Sequence, residues 1–443
     1  MNFCNGFKSF ACGVLWIASS CTLYAQVYYD PSSGKYTNSS GQSSSSILGT
    51  TDGGTKLANP ITTAVPFLNI SPDSRAGAMG DAGAATSPDI YSAHWNPAKY
   101  VFMEKDYGVA VSWTPWLRKL VDDMNIYYIP GYARLRKEDA INFSFTYFSL
   151  GKIDFTDQSG NQYYQFNPRE FAISGGYSRL LSDQMSVAVS LKYIYSNLAG
   201  NFASSDGSTQ SKPANSVAGD VGVYWNKEYT VGNMNSKLAF GAVITNFGSK
   251  VAYTNNNQKD FIPTNLRVGV AYTLDMDLYN KLTFTVDANK LMVPTPPVYI
   301  KSSNGTDSTV SGSTSTSTSS DKVIYKGKDP NRGLLAGTFG SFTDAPGGAK
   351  EEFKEIMWSF GLEYWYADIF ALRAGHFRES ALKGNRKYFT FGFGLRFYEG
   401  MAGIDFSYLV SGRQNNPLEG TLRFSLYTML EKKSEKETES ITE

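Results

Sequence analysis

Histidine is the side chain most suited to proton transfer and metal ligation near neutral pH, and the sequence holds two, His94 and His376. A metal site would need both of them plus carboxylates. They lie far apart in the chain, and each reads as a structural or loop residue. His376 is followed by Glu379 and Ser380. That trio could serve a serine hydrolase, the chemistry of outer-membrane lipid A deacylases, if Ser and His met with an orienting acid. Here the three fall at a strand end and in a loop. Gly333 to Gly348 is glycine-rich but lacks GxxxxGK[ST] and a flanking parallel strand, so it does not read as a phosphate cradle. No catalytic residue, metal ligand or cofactor site stands out, and the chain does not read as an enzyme.

The whole-chain balance narrows the classes further. The 443 residues include 41 Lys+Arg and 40 Asp+Glu, a formal charge of +1, which gives no electrostatic case for nucleic acid. Charged residues make up 18% and aromatics 14%, and the mean hydropathy is −0.29. A chain this aromatic with so little net charge is neither disordered over most of its length nor a bundle of membrane helices.

Residues 1–26 read as a secretory signal peptide, with Lys8, the apolar stretch Phe10–Ile17 and a cleavage point after Ala25. Cys4, Cys12 and Cys21 all fall inside it, so the cut chain would carry no thiol. Acylation of Cys21 is the alternative processing. Residues 27–59 are rich in Ser, Gly, Thr and Asn and read as a flexible leader. Residues 60–106 mix Gly, Ala and Pro with residues of the buried type and show no alternation. They read as a compact irregular element held by its surroundings.

From Tyr107 onward apolar residues recur at every second position. Ile141, Phe143, Phe145 and Tyr147 alternate with Asn142, Ser144 and Thr146; Phe389, Phe391, Phe393 and Leu395 alternate with Thr390, Gly392 and Gly394; Ile404, Phe406, Tyr408 and Val410 follow the same rule. The pattern predicts strands at 107–113, 125–133, 140–148, 170–178, 185–195, 216–226, 237–245, 264–273, 282–288, 355–365, 370–377, 388–397, 401–410 and 417–427. The fold class is read as all-β: a membrane-spanning antiparallel β-barrel of about fourteen strands over residues 107–430, an even number as closure requires. Odd-numbered connections are mostly long and even-numbered ones mostly short. This predicts long loops outside the cell, with both termini in the periplasm. The insert 301–321 is a low-complexity Ser/Thr tract expected to be mobile, and 431–443 is a charged periplasmic tail.

Apolar residues in the outward connections are candidate contact sites. Trp113, Trp116 and Leu117 fit an interfacial aromatic girdle or a partner contact. Leu334, Leu335, Phe339, Phe342 and Phe353 crowd one long loop, which must fold onto the barrel mouth or be covered by another protein.

Two stretches, ITTAVPFLNISPDSRAGAMGDAGAATSPDIYSAHWNPA (61–98) and GLLAGTFGSFTDAPGGAKEEFKEIMWSFGLEYWY (333–366), resemble the PorV family of type IX secretion in Bacteroidetes. Asn96-Pro97-Ala98 resembles the hatch of the wider FadL-like superfamily. The likeness runs from about residue 60 to about residue 430; the leader and the Ser/Thr insert depart from it. It implies a non-enzymatic barrel in outer-membrane lipid with the 60–106 segment as a plug inside. It also implies three partners: a very large translocon barrel, the C-terminal signal domain of secreted cargo, and a surface attachment complex. In such a plug, Arg75, Asp81, Asp89 and Lys99 would pair with lumen residues such as Arg267, Arg396 or Arg423. A FadL-type transporter of a hydrophobic small molecule is the alternative, and an outer-membrane lipid hydrolase a third reading.

Overall fold

The computed structural model describes residues 26–38, 41–54, 56–156, 162–198, 200, 210–232, 234–255, 259–300, 323–412 and 416–432. The signal segment before Gln26, the insert 301–321 and the tail beyond Lys432 lie outside the described residues. No helix among those described is long and apolar enough to cross a membrane; strands do the crossing.

Fourteen of the strands close into one antiparallel ring. They are β1 (Tyr107–Pro115), β2 (Asn125–Arg134), β3 (Asp139–Ser149), β4 (Arg169–Ser182), β5 (Met185–Asn197), β6 (Ala214–Val231), β7 (Met234–Gly248), β8 (Asn265–Asp275), β9 (Asn280–Leu291), β10 (Met357–Tyr366), β11 (Phe370–Arg378), β12 (Lys387–Phe397), β13 (Ala402–Ser411) and β14 (Leu422–Leu430). Each pairs with its sequence neighbours, and β14 closes on β1 from Phe424↔Trp113 to Leu430↔Tyr107. The last strand starts at Leu422 rather than 417. Pro417 lacks the N–H a ladder needs, and Gly420 turns the chain with a left-handed φ of 81°.

The alternation sorts the two faces of the wall. On β1, Val109, Val111 and Trp113 are exposed, while Ala110, Ser112 and Thr114 are buried. On β12, Phe389 and Phe391 are exposed and Thr390 is buried. The apolar row points away from the ring, toward lipid; the small and polar row points into the lumen. Closure leaves no unpaired strand edge for lipid to meet.

Residues 60–106 fill that lumen. Two short helices, α1 (Ser74–Ala78) and α2 (Ser92–Trp95), and two 3₁₀ turns, Pro66–Asn69 and Pro97–Phe102, make up the segment. It bonds to β9, β12 and β14 and also to β6. A single segment reaches such widely separated walls only from inside. It also runs from mouth to mouth. Ala64 N–H bonds to the Phe261 carbonyl in the long β7–β8 loop, and at the other end Arg134 in the short-turn rim holds the Met103 carbonyl.

Two expectations change here. The leader 27–59 is not a flexible tether: Val27–Asp30, Lys35–Asn38 and Ser43–Ser44 form a five-stranded sheet with Val298–Ile300 and Ile324–Lys326 of the long β9–β10 loop. Val27, Tyr36, Ile47, Leu57 and Val298 form its buried cluster. The serine-rich composition hid these apolar residues because their partner strands are remote in sequence. The two ends of the described chain also do not share a side. Residues 27–59 lie at the long-loop mouth, whereas Lys432 N–H bonds Asp106 at the short-turn mouth. The plug threads the barrel, so the ends emerge on opposite faces.

The plug meets the wall where glycine permits. A Cβ on Gly375 would lie 2.0 Å from Gly80 N, and Gly80 itself has φ +67°. A Cβ on Gly175 would meet nothing within 4 Å. Gly375→Val should therefore cost about 1–3 kcal/mol by overpacking and lower the melting temperature of the detergent-solubilised barrel, while Gly175→Val leaves it unchanged. Equal effects of the two would show that the plug is not seated against β11.

Candidate functional site

The lumen is organised by buried charge. Glu363 on β10 accepts Arg75 Nε and Nη2 at 2.9 and 2.7 Å, and Arg373 Nε on β11 at 2.7 Å. Arg373 continues to Asp405 on β13 at 2.6 Å, and Arg75 reaches back to Asp89 at 2.7 Å. The four strongest members of this chain, Arg75, Glu363, Arg373 and Asp405, are all buried. A carboxylate shared by two guanidinium groups tolerates burial because both of its oxygens accept charge-assisted bonds. On the neighbouring strand β9, Asp287 accepts the Gly83 and Ala84 N–H groups at 2.8 and 2.9 Å.

Local capping fixes the plug's own shape. Asp73 caps α1, accepting Ala76 N–H at 2.9 Å and the Trp95 indole N–H at 2.6 Å. Asn96 caps the following 3₁₀ turn, with Pro97 at its first position. Its amide donates to the carbonyls of Ala84 and Val223, which ties the plug to β6. Lys99, fully buried, donates to the Gly83 carbonyl and to Thr86.

The expected plug-to-wall pairs divide. Asp81 accepts the Tyr388 hydroxyl at 2.6 Å and stands 3.9 Å from Arg423. Asp89 pairs within the plug, and Lys99 bonds only plug groups. Arg267 stacks on Trp95 at 4.4 Å, and Arg396 lies over Trp365 at 3.8 Å, so neither holds a plug carboxylate. The partners that do the work, Glu363, Arg373, Asp405 and Asp287, were not among the expected ones. Their signal was present: each is a charge on the lumen-facing row of a greasy strand.

His376, Glu379 and Ser380 do not assemble. The His376 ring lies on Phe389 at 4.5 Å on the outer face, its Nδ1 against the Tyr388 carbonyl. Glu379 is clamped by Arg386 through two bonds of 2.9 and 3.0 Å. The Ser380 hydroxyl accepts the Leu382 N–H. His94 lies half-buried beside Trp95 and Tyr128. Among the described residues no group of three His, Asp or Glu could hold a metal.

At the long-loop mouth the expected contact residues separate. Trp113 is on the outer wall, stacked on Phe424 and bonded to Asn125. Trp116 turns inward onto the cluster of Phe67, Ile126 and Phe148, with Leu117 in a left-handed turn beside it. The β9–β10 loop carries α3 (Leu334–Gly340). Its polar side is riveted to the rim: Lys383 holds Glu351 and Glu355 at 2.6 and 2.9 Å, and Lys290 holds Glu352 at 3.0 Å. Its apolar side is bare. Leu335, Phe339, Phe342 and Phe353 are 63, 58, 40 and 74% exposed, while Leu334 is half-buried.

A family model described as "Type IX secretion system protein PorV" matches residues 54–298, more than half of the chain. No curated protein matches it. Among solved structures the chain is similar to the toluene transporter TbuX of Ralstonia pickettii, at 10% identity over 82% of this chain and 98% of that one, with a TM-score of 0.42. It is similar to the toluene transporter TodX of Pseudomonas putida, at 11% over 80% and 96%, TM-score 0.44. A FadL homologue of Pseudomonas aeruginosa stands at 10% over 84% and 99%, TM-score 0.38. Scores this low carry no argument, and the barrel rests on its own strand pairing. The family match does carry one: the chain belongs to the PorV family of type IX secretion proteins.

Proposed function

We propose that this outer-membrane barrel is a non-enzymatic adaptor of type IX protein secretion. Its outward loops dock on the large translocon barrel and receive the C-terminal signal domain of secreted cargo. The barrel then passes the cargo to the attachment complex at the cell surface. In this reading the long loops and the 27–59 sheet face outward, and the short turns and the C-terminal end face the periplasm.

The observation that carries the proposal is the two-sided β9–β10 loop. Buried ion pairs fix its polar side to the rim, so its bare apolar side is a fixed surface. Clustered Leu and Phe on a rigid platform are suited to a protein partner, where a few desolvated anchors supply most of the affinity. Trp113 and Trp116 serve the aromatic rim and the plug contact instead, and Leu117 shapes the turn between them. Uptake of an apolar small molecule would need an open greasy lumen; a plug pinned by charges argues for a stopper.

Phe339→Asp and Leu335→Asp should each weaken capture of the translocon barrel from gently solubilised membranes by about 2 kcal/mol, the scale of a buried anchor. Heat-modifiable migration of the variants should stay normal. Undiminished capture and secretion with both variants would take this loop out of the mechanism.

A further inference from the structure

A cavity of about 310 Å³ lies at the long-loop mouth, between the start of the plug and the rims of β8 to β12. Ile61 and Pro66 form its plug side; Asp81, Arg267, Glu355, Glu379, Lys383 and Arg386 bring charge to it. Most of that charge is already matched. Lys383 sits on Glu351 and Glu355, and Arg386 on Glu379. Asp81 takes the Tyr388 hydroxyl. Arg267 is different. Only 8% exposed, it donates Nε to Asn289 at 2.6 Å and lays its flat face on Trp95. Among the described residues no carboxylate pairs with it, and no group accepts from its Nη atoms.

A buried guanidinium with an unused pair of donors lining a cavity of this size is poised for one kind of guest. Two parallel N–H groups match the two oxygens of a carboxylate or phosphate, and an incoming anion would offset the cost of burying the cation alone. The lining mixes charged groups with apolar ones such as Leu291, Met357 and Phe377, and the guanidinium selects a guest that presents an anionic group to it. We propose that this cavity binds a small oxyanion, a carboxylate or phosphate, seated on the Nη atoms of Arg267 at the outer mouth of the barrel.

The test is calorimetric titration of the folded full-length barrel in detergent with inorganic phosphate, with acetate, and with phosphatidylglycerol doped into the micelles, all at fixed ionic strength. One-to-one saturable binding to at least one of them is expected. Binding of phosphate or acetate assigns a free anion, binding only of the doped lipid assigns a headgroup, and each supports the site. Arg267→Gln should weaken the binding by roughly tenfold or more, the loss of a charge-assisted pair. Asp81→Asn should tighten it severalfold by removing a competing negative charge from the same wall. Asp81 sits at φ 62°, a conformation asparagine adopts readily, so this variant folds even if Arg267→Gln loses its heat-modifiable migration. No saturable binding with any of the three probes, an unchanged constant in folded Arg267→Gln, or an unchanged constant in Asp81→Asn would overturn the proposal.

Discussion

Lipid offers no partner to a backbone N–H or carbonyl, and the rest of this molecule follows from that constraint. The strands must close, and here β14 pairs with β1 to seal the ring. Closure fixes a row of side chains facing lipid and a row facing inward on every strand. A ring of this size cannot fill its interior with wall side chains alone. The plug is the answer to that second problem, and its charges are the answer to the polar wall it meets.

The energetics divide between the two faces. Outside, lipid contact sets the composition and makes few demands on shape. Inside, the contacts are specific: Arg75, Glu363, Arg373 and Asp405 form one connected set, and removing any single member would leave a buried charge without its match. Breaking such a set costs about 3–5 kcal/mol, far more than the pairs contribute relative to an apolar core. The network therefore fixes where the plug sits more than it makes the barrel stable.

The outer face was legible in the sequence because lipid imposes a rule with period two. Phe389, Phe391 and Phe393 could be placed from spacing alone, and the strands followed. The plug's contacts were not legible, since a charge pair leaves no period: Arg75 and Glu363 touch in space although 288 positions separate them in the chain, and only the oddity of a Glu between Leu362 and Tyr364 marked one of them. The 27–59 sheet failed for a related reason, its core being completed by Val298 from a distant loop. Parity decided the aromatic pair at the rim. Trp113 falls in the lipid-facing row of β1; Trp116 lies past its end, where the turn at Leu117 swings it onto the plug cluster.

The rim and the lumen place different demands on the same residues. Lys383 and Glu355 line the mouth cavity and also rivet the β9–β10 loop, so the surface offered by Phe339 and Phe353 is held by groups that border the plug. A loop secured this way keeps its apolar anchors in one arrangement, which lowers the ordering entropy a partner would have to overcome. The same rivets mean that a displaced plug would loosen the loop, since Asn59, just before the plug, donates to Glu351 at 3.1 Å. Plug position and loop surface are thus mechanically joined at the outer mouth, through a handful of buried ion pairs.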